Sequence, residues 1–511
     1  MVPGCYVLAA PLDSTAMVEG YDVIVVGGGT AGSVVASRLV EAGRHVLVLE
    51  AGPDYGSFGT LGWPSDLLDA STIPTSHDWG YGSGDELPSR ALPYERARVI
   101  GGCSTHNGCT VSWGHRLDYD SWAARGLDGW GADDLLPLFG EASLRMRVRR
   151  FRDDEITPFH RAFIDAGLDL GLPELDDLES LDGVPSVCAE PSNSPEGVRW
   201  NAAFAYLDPV RGRPELEVRG GATVTHVVVE GGRVIGVDLV DGGVADTVWA
   251  DLVVVAGGTY GSPELLLRSG IGPAEELWNL GLDIVADVPG VGRNLHDHPG
   301  YELYFEPSAE LERRTTAFRA TGKPVPDEQA FAKVATSRAA DDVFDTHLFP
   351  EVAMDGRLAI FTALLTPRSR GALTLRSEDP SVAPLIDHAY LQDPKGHDLA
   401  ALTEGVEQAR AFAANSAMKS LLRREVEPGL DIKGAELADA VRAGVIHYWH
   451  PVGTCAMGGS DDPAAVTDAD GRVRGVDGLV VADASLMPTT VRATTNLPTV
   501  VIGERIAASL I

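Results

Sequence analysis

The stretch that decides the fold runs from Tyr21 to Asp54 and reads YDVIVVGGGTAGSVVASRLVEAGRHVLVLEAGPD. Its first apolar run, 21–26, is typical of a buried strand, and a glycine-rich turn follows at once. The pattern then turns helical and ends in a second apolar run, 45–49. The stretch therefore predicts a strand, a helix and a second strand, which is the βαβ unit of an α/β fold.

The glycines of the turn have the spacing Gly27-x-Gly29-x-x-Gly32. Gly27 permits a tight turn, Gly29 lets the backbone approach a pyrophosphate, and Gly32 lets the helix pack on the strand. Glu50 ends the second strand, where a carboxylate can accept hydrogen bonds from a ribose. A glycine motif alone is weak evidence, but strand, helix and acid occur together here. We therefore predict a dinucleotide site.

Two later segments look like returns to the same sheet. Residues 216–258 alternate apolar and polar side chains between Gly-Gly turns, which predicts a β-meander that ends in a buried strand, 252–256. Residues 478–488 repeat the pattern of a buried strand opening into a small-residue turn. The remaining segments contain loops, further strands and long helical patterns through 396–443. The predicted organisation is as follows: a discontinuous nucleotide domain, 17–150, 208–300 and 441–511; a second domain, 151–207 and 301–440; and a disordered extension, 1–16.

The composition limits the kinds of partner that the protein can bind. Its 511 residues include 74 acidic and 41 basic side chains, for a net charge of −33. Such a surface repels nucleic acid and anionic membranes and attracts small cations, although it also serves solubility alone. No apolar run is long enough for a membrane span, and five cysteines indicate a reducing compartment. We expect a cytoplasmic protein without nucleic-acid or membrane partners, and its oligomeric state stays open, a homodimer included.

A second stretch, IGGCSTHNGC at 100–109, sets one histidine between two cysteines. Cys103, His106 and Cys109 would supply three metal ligands, but structural zinc needs a fourth. The cysteines would otherwise form a redox pair or fill buried space. The histidine would otherwise be an attachment point or a hydrogen-bonded loop residue. The residues alone leave these alternatives open.

Four sequence blocks carry a resemblance to a known family. They are GGGTAG (27–32), RARVIGGCSTHNGCTVSWGHRLDYDSWA (96–123), GGTYGSPELLLRSGIGP with PGVGRNLHDHP (257–273 and 289–299), and HYWHPVGTCAMG with VVADASLMPTTVRATTNLPTVVIGERIA (447–458 and 480–507). In order and spacing they resemble the glucose–methanol–choline (GMC) oxidoreductases, above all the choline oxidase branch. The resemblance implies a Rossmann-like FAD-binding domain, an α+β substrate domain with an antiparallel sheet, and a flavin ring between them.

The same resemblance assigns the cofactor contacts. It implies FAD attached covalently through His106 to the flavin 8α-methyl group, with Asn107 and Gly108 bordering the isoalloxazine. The backbone of Val224 would meet the adenine, and 483–484 would lie by the pyrophosphate and ribityl chain. The full predicted set of cofactor-binding residues is Gly27, Gly29, Thr30, Ala31, Gly32, Glu50, Gly102, His106, Asn107, Gly108, Val224, Asp483 and Ala484.

The predicted catalytic residues follow from the C-terminal blocks. His450 matches the family's active-site histidine, which suits a base that takes the hydroxyl proton as hydride leaves the carbinol carbon. His347 falls where the choline oxidase branch has a histidine that binds the hydroxyl. Thr494 and Asn496, in RATTNLPT, complete the catalytic set. No metal is predicted, because the family uses the two histidines of 294–299 structurally.

Two positions depart from the family pattern. Gly300 stands where choline oxidase-like chains have a glutamate that pairs with the trimethylammonium group, so another acid such as Glu302 would have to supply that charge. Thr494 stands where the family usually has Asn or His. Trp449, next to His450, would offer an aromatic wall suited to a cationic substrate.

These observations predict FAD-dependent oxidation of a small alcohol, with a cationic or amino-bearing alcohol among the candidates. Oxygen is the favoured acceptor and would give hydrogen peroxide. Three alternatives remain: a dehydrogenase with another acceptor, a non-redox enzyme of the hydroxynitrile lyase type on the same fold, and a flavin-bearing binding protein with an inactive site.

Overall fold

The computed structural model describes residues 20–60, 62–83, 92–176, 178–340, 343–352 and 357–511. The extension predicted at 1–16 lies outside these residues. The strands in this part of the chain are β1 Val23–Val26, β2 Val46–Glu50, β3 Arg149–Arg150, β4 Ser186–Ala189, β5 Pro191–Ser192, β6 Leu216–Gly220, β7 Ala222–Glu230, β8 Arg233–Asp241, β9 Val244–Trp249, β10 Val253–Val255, β11 Ile271–Gly272, β12 Ala286–Asp287, β13 Pro299–Pro307, β14 Ala330–Val334, β15 Thr346–Val352, β16 Leu358–Leu364, β17 Ala372–Thr374, β18 Leu385–Asp387, β19 Leu422–Glu427, β20 Ile446–His447 and β21 Leu479–Val481.

The α-helices of the same part are α1 Thr30–Glu41, α2 Ser65–Leu68, α3 Arg116–Ala123, α4 Ala132–Arg145, α5 Pro158–Asp169, α6 Gly258–Arg268, α7 Ala274–Asn279, α8 Ala309–Arg319, α9 His397–Ala414, α10 Ser416–Lys419, α11 Gly434–Gly444 and α12 Asn496–Leu510. Short 3₁₀ turns at Gly102–Thr105 and Ala484–Leu486 flank the candidate site. None of the helices in the described ranges combines the length and the hydropathy that a membrane span needs.

A parallel sheet of five strands forms the first layer, in the order β21-β10-β1-β2-β6. The short β-branched runs of β1, β10 and β21 are fully apolar and buried, because α1 packs on β1 and β2 while β7 and β8 contact β2 and β10. This confirms the predicted βαβ unit and both predicted returns to its sheet. The meander is shorter than expected, because β6 pairs in parallel with β2 and leaves β7, β8 and β9 as the antiparallel unit.

Helix α1 leads from the glycine turn across the parallel sheet and packs on α12. Its buried face includes Val34, Val35 and Leu39, the positions that carry the helical pattern in the sequence. A side chain at Gly503 of α12 would lie 2.9 Å from the Val34 Cβ atom, so the two helices approach closely. The last helix of the chain therefore belongs to the core of the dinucleotide unit.

An antiparallel sheet of seven strands forms the second layer, in the order β19-β13-β16-β15-β14-β4, with β20 paired to β13. Side chains alternate across it. One face packs on α5, α9 and α11 in a separate hydrophobic core. The other face carries Phe331, Phe349 and Phe361, which form a small cluster with Tyr448. This antiparallel sheet confirms the expected α+β part.

Two details differ from the sequence prediction. The helical pattern predicted through 396–443 is interrupted by β19, which pairs with β13. The sheet also crosses the predicted boundaries at 300 and 441, since β13 begins at Pro299 and pairs with Ile446 and His447. The division into domains is therefore a prediction whose boundary at 300 falls inside β13 and whose boundary at 441 falls inside α11.

Candidate active site

The glycine turn after β1 has the close packing that its spacing predicts. A Cβ atom at Gly32 would lie 1.9 Å from the Gly27 carbonyl oxygen, and Gly27 itself has φ of +99°. A Cβ atom on Gly102 would lie 2.7 Å from the Gly29 Cα atom. The turn and the loop after Ile100 thus form a bare backbone cradle that side chains would fill. Such a cradle fits the pyrophosphate of FAD.

Glu50 fixes the shape of this cradle. Its carboxylate accepts hydrogen bonds from the backbone N–H groups of Gly28 and Gly52, at 2.9 and 2.7 Å. Burial raises the pKa of Glu50, while these two N–H donors act in the opposite direction. A carboxylate has about four acceptor sites, so two remain for ribose hydroxyls.

Thr30 and Asn496 bring two helix starts together. Thr30 is the first residue of α1, Ala31 follows it, and Asn496 is the first residue of α12. The Thr30 hydroxyl donates to Asn496 Oδ1 at 3.2 Å. Helix N-termini favour anions, so this pair of ends suits phosphates. The Asn496 side chain thus has a neighbour at the dinucleotide turn, and the catalytic role assigned to it stays a prediction.

His106 follows the 3₁₀ turn and is 8% exposed. Its Nε2 atom lies 3.0 Å from the Ser76 carbonyl oxygen, so Nε2 carries the proton and Nδ1 keeps the lone pair. Burial lowers the pKa of His106, which keeps the ring neutral. Neutral imidazole is a competent nucleophile, and attachment through Nε2 requires that the bond to Ser76 break.

Asn107 and Gly108 continue the loop toward the antiparallel sheet. Asn107 Oδ1 accepts from the Cys109 backbone, and its carbonyl oxygen accepts from Arg199 Nε at 2.8 Å. Gly108 lines a narrow cavity together with Glu328. The buried guanidinium of Arg199 therefore holds the loop backbone on one side, and the cavity borders the loop at Gly108.

Val224 lies on β7, whereas Asp483 and Ala484 lie together at the start of the 3₁₀ turn that follows β21. Val224 stands at a β-bulge of β7, where the ladder with β8 shifts register before His226. Asp483 caps the 3₁₀ turn and accepts hydrogen bonds from Gly258 N at 2.9 Å and Ser262 Oγ at 2.5 Å. Asp483 therefore joins the parallel sheet to the start of α6, and burial raises its pKa.

A histidine pair defines the reactive end of the site. His298 Nε2 lies 3.0 Å from the Val491 carbonyl oxygen, so this nitrogen carries the proton. Burial lowers the pKa of His298 to about 3, so its Nδ1 atom is a bare acceptor. His450 Nδ1 lies 3.1 Å from that acceptor and must donate to it. The lone pair of His450 is therefore on Nε2, free for a substrate hydroxyl.

The backbone around His450 is held by buried charges. The His450 N–H donates to Asp297 Oδ1 at 2.9 Å, and Arg96 donates to the Trp449 carbonyl oxygen at 3.2 Å. Trp449 has φ of +58°, in the left-handed region that a bulky residue seldom adopts. Burial raises the pKa of Asp297 to about 7. Such strain persists only where the surroundings fix it, as they do here.

Trp449 is not the aromatic wall that the sequence suggested. Its side chain is 44% exposed and donates to Glu95 at 2.9 Å. The wall is Tyr448, whose ring centroid lies 4.2 Å from that of His450 and which packs on Phe349 and Phe361. The run HYWHP leaves β20 after His447, and the positive φ of Trp449 turns the backbone between Tyr448 and His450. No local pattern in the sequence indicates this turn.

His347 lies on β15 and is fully buried. Its ring stands edge-on to Phe331, and burial lowers its pKa well below the usual range. Neither ring nitrogen has a hydrogen-bond partner in the described structure, and the same holds for the Tyr448 hydroxyl. Buried polar atoms without partners are rare in proteins. They fit a site that a polar ligand completes.

Thr494 is tied into the loop that carries His106. Its hydroxyl donates to the Thr110 carbonyl oxygen at 3.1 Å, and its N–H donates to Ser112 Oγ at 2.8 Å. The hydroxyl proton is thus already used by the protein. The geometry makes Thr494 a positioning residue for the Thr110 backbone, and its direct catalytic role stays a prediction.

The other histidine and cysteine motifs have structural neighbours. His296 Nδ1 donates to the Asn294 carbonyl oxygen at 2.6 Å, and its Nε2 accepts from the Thr490 N–H at 2.9 Å. Among the described residues, no group of three or more His, Cys, Asp or Glu side chains is arranged to hold a metal ion. Cys103 and Cys109 are free thiols.

Comparison with known proteins agrees with this geometry. Models of the GMC oxidoreductase family match residues 21–300 and 367–503. An oxygen-dependent choline dehydrogenase of Rhizobium rhizogenes is 34% identical over 536 residues, which covers 95% of this chain and 94% of the relative. A second one, of Brucella anthropi, is 33% identical over 530 residues, with 95% and 94% covered.

Solved structures extend the comparison to three dimensions. Pyridoxine 4-oxidase from Mesorbium loti is 28% identical, with a TM-score of 0.84 and coverage of 96% of this chain and 99% of that one. Formate oxidase of Aspergillus oryzae RIB40, at 22% identity, a TM-score of 0.83 and coverage of 96% and 97%, shares the fold. The chain therefore belongs to the GMC oxidoreductase family of FAD-binding proteins and is an oxidoreductase that acts on CH–OH groups.

Proposed function

We propose that the protein oxidises a small, positively charged alcohol and that His450 is its general base. The observation that carries this proposal is the tautomer of His450, whose Nδ1–H is committed to His298 and whose Nε2 lone pair is free. Bound FAD supplies the hydride acceptor for the carbinol carbon. The base is needed because the hydroxyl proton must leave as the C–H bond breaks.

The surrounding residues bind and orient the hydroxyl group. The unpartnered nitrogens of His347 suit a hydrogen bond with the substrate oxygen. When His450 holds the proton, its Nδ1–H still donates to His298, so the ring keeps its orientation. The aromatic cluster of Phe349, Phe361 and Tyr448 keeps water from this space.

The covalent link between His106 and the flavin belongs to the same proposal. Its support is the neutral, buried ring of His106 in a loop that packs on the dinucleotide turn. We expect acid-precipitated protein to stay yellow and a tryptic flavopeptide to contain residues 99–116. His106→Ala should release its flavin in acid yet retain FAD at neutral pH. Complete release from the unaltered protein by acid would contradict the link.

The choice of acceptor and substrate rests on the relatives. Two of them are named oxygen-dependent choline dehydrogenases, and a structural neighbour is a pyridoxine 4-oxidase. These names support oxygen as the acceptor and a charged alcohol as the substrate. The four described cysteines are free thiols, which supports a cytoplasmic location.

The experiment that tests the function is a panel of alcohols given anaerobically to the holoenzyme. Amino alcohols, choline, sugars and aryl alcohols should each be scored by loss of the flavin's visible absorbance. Readmission of oxygen should restore the colour with formation of hydrogen peroxide. A dehydrogenase would need a dye instead of oxygen, and a lyase would leave the flavin oxidised with every alcohol. Flavin that no alcohol reduces would overturn the proposal.

A further inference from the structure

A narrow cavity opens beside the His106 loop, on the side of the antiparallel sheet. It measures about 30 Å³, and its lining includes Ile73, Gly108, Glu190, Asp327 and Glu328. Three acidic residues thus line a space large enough for a water-sized group. Nothing in the sequence indicated this site, because Glu190 and Glu328 lie in loops far apart along the chain.

One oxygen of the Glu190 carboxylate lacks a partner. The residue is 1% exposed, and its Oε2 atom has no hydrogen bond in the described structure. Glu328 accepts a hydrogen bond from the Thr110 hydroxyl at 3.0 Å. None of the three carboxylates forms an ion pair with another described residue. An uncompensated buried carboxylate is costly, so a ligand with a positive charge and an N–H donor would stabilise it.

The charges that face the cavity are mainly negative. Burial raises the pKa of Glu190 and of Glu328, the latter to about 7, and repulsion between neighbouring carboxylates adds to the shift. Burial also raises the pKa of Asp327 to about 6. Arg149 lines the rim, but its guanidinium is bound to Glu155 at 3.0 Å and to the Ser194 carbonyl oxygen. The cavity therefore has no cation of its own to spare for Glu190.

Two residues connect the cavity with the C-terminal part of the site. The Thr110 hydroxyl donates to Glu328 and the Thr110 carbonyl oxygen accepts from Thr494, so one residue joins the carboxylates to Thr494. The Tyr448 phenol has its pKa raised by burial and then by the charges of Glu328 and Glu190. Since the Tyr448 ring centroid is also 4.2 Å from that of His450, an amine at the carboxylates and a hydroxyl at His450 would share Tyr448 as a neighbour.

The position that the family uses for this purpose is blocked. A Cβ atom at Gly300 would lie 2.4 Å from Phe361 Cζ and 2.7 Å from its Cε1 atom. The Phe361 ring thus occupies the space of the missing glutamate side chain. Recognition of a charged group must come from another wall of the site.

We propose that Glu190 and Glu328 together form the recognition site for a protonated amine of the substrate, one that carries N–H groups. The unpartnered oxygen of Glu190 requires a hydrogen-bond donor, which a trimethylammonium group does not have. This inference rests on the proposed oxidation of an alcohol and names its substrate class as amino alcohols.

The test compares holoenzyme variants in binding and in turnover. Glu190→Gln and Glu328→Gln keep the side-chain shape and remove the charge, and Glu312→Gln, at an exposed position on α8, is the matched control. Calorimetry with propylammonium and with tetramethylammonium chloride measures recognition without any reaction. Anaerobic flavin reduction by 3-aminopropan-1-ol and by butan-1-ol, which replaces the ammonium group by a methyl group, measures its effect on kcat and KM.

We expect the unaltered protein to bind propylammonium more tightly than tetramethylammonium. Each cavity variant should lose about tenfold or more of that affinity and show a raised KM for the amino alcohol, with butan-1-ol unaffected. Glu312→Gln should behave as the unaltered protein. If Glu190→Gln does not fold, the test uses Glu328→Gln, because the Glu328 side chain is partly exposed.

Two results would overturn the inference: equal binding of the two ammonium ions, or an unchanged preference in both cavity variants. Failure of every alcohol to reduce the flavin would instead overturn the proposed function. The calorimetric comparison would still decide the amine site in that case, so the two failures are distinguishable.

Discussion

The residue with the clearest chemical assignment is His450. We expect His450→Asn to slow flavin reduction by about 100-fold or more, the usual contribution of a general base. FAD should stay bound, because the glycine turn that cradles it lies on other elements. Stopped-flow reduction under anaerobic conditions gives the rate, and His45→Ala, at an exposed histidine, is the control. A rate close to that of the unaltered protein would move the base role to His347.

The pH dependence of the reaction follows from the same residue. Burial, with added repulsion from His298 and Arg96, lowers the pKa of His450 well below the usual histidine range. A base works in its neutral form, and a lowered pKa means that this form is already complete at neutral pH. We therefore expect kcat/KM for the neutral butan-1-ol to be level around pH 7 and to fall only in acid. A fall centred near pH 7 or above would contradict the assignment.

For single residues, the sequence predicted which side chains belong to the site better than it predicted how those side chains are oriented. The block HYWHP singled out His450, yet sequence reasoning chose Trp449 as its aromatic neighbour, whereas the structure places Tyr448 there. The tautomer of His450 was also beyond reach, since it depends on a carbonyl oxygen of Val491 that the chain brings to His298 from far away. Hydrogen bonds between distant segments leave no local pattern in a sequence.

Among the elements, the contact between the glycine turn and the His106 loop carries the next prediction. Gly102 and Gly43 both have positive φ, so an alanine at either position costs similar backbone strain, about 1–2 kcal/mol. Only at Gly102 does the new Cβ atom meet backbone, 2.7 Å from Gly29 Cα, while Gly43 has open space. We expect Gly102→Ala to lose bound FAD and Gly43→Ala to retain it.

Both glycine variants are compared in the His106→Ala protein, whose flavin is held without the covalent link, and the ratio of flavin to protein absorbance after gel filtration measures this difference. Equal retention of FAD in both variants would show that the loop can move away from the turn without harm. Thermal melting provides the second reading, since similar backbone strain should lower both melting temperatures by a similar amount. In the His106→Ala background, a larger fall for Gly102→Ala should disappear once the flavin has been removed from all proteins in the comparison.

Prediction of elements succeeded where the signal is local. The β1-α1-β2 unit was evident from an apolar run, a glycine turn and a helical period within Tyr21–Asp54. The prediction of elements failed for β6 and β19, because these strands pair with β2 and β13 over long sequence separations. Whether a segment forms a strand depends on its pairing partner as much as on its own residues. A short run such as Leu422–Glu427 can therefore form a strand within a helical pattern although its own sequence does not indicate one.

Two electrostatic fields of the molecule, one from its surface and one from the cavity, act on a cationic substrate over different distances. The net charge of −33 is spread over the surface and acts at long range, whereas Glu190 and Glu328 act only inside the cavity. The composition predicted the first field. It gave no hint of the second, because buried acids count the same as exposed ones in a sum over the sequence.

Salt separates these two contributions and gives the last prediction. Exposed charges are screened over about 8–10 Å at ordinary ionic strength, while buried groups are screened much less. Added salt should therefore lower kcat/KM for 3-aminopropan-1-ol by slowing encounter and leave that for butan-1-ol unchanged. In Glu190→Gln the preference for the amino alcohol should be smaller at every salt concentration, yet the slope against salt should be the same, since one charge in 33 has changed. Equal slopes for the two alcohols would show that the surface charge does not steer the substrate. A salt dependence that disappeared in Glu190→Gln would show that the cavity, and not the surface, causes it.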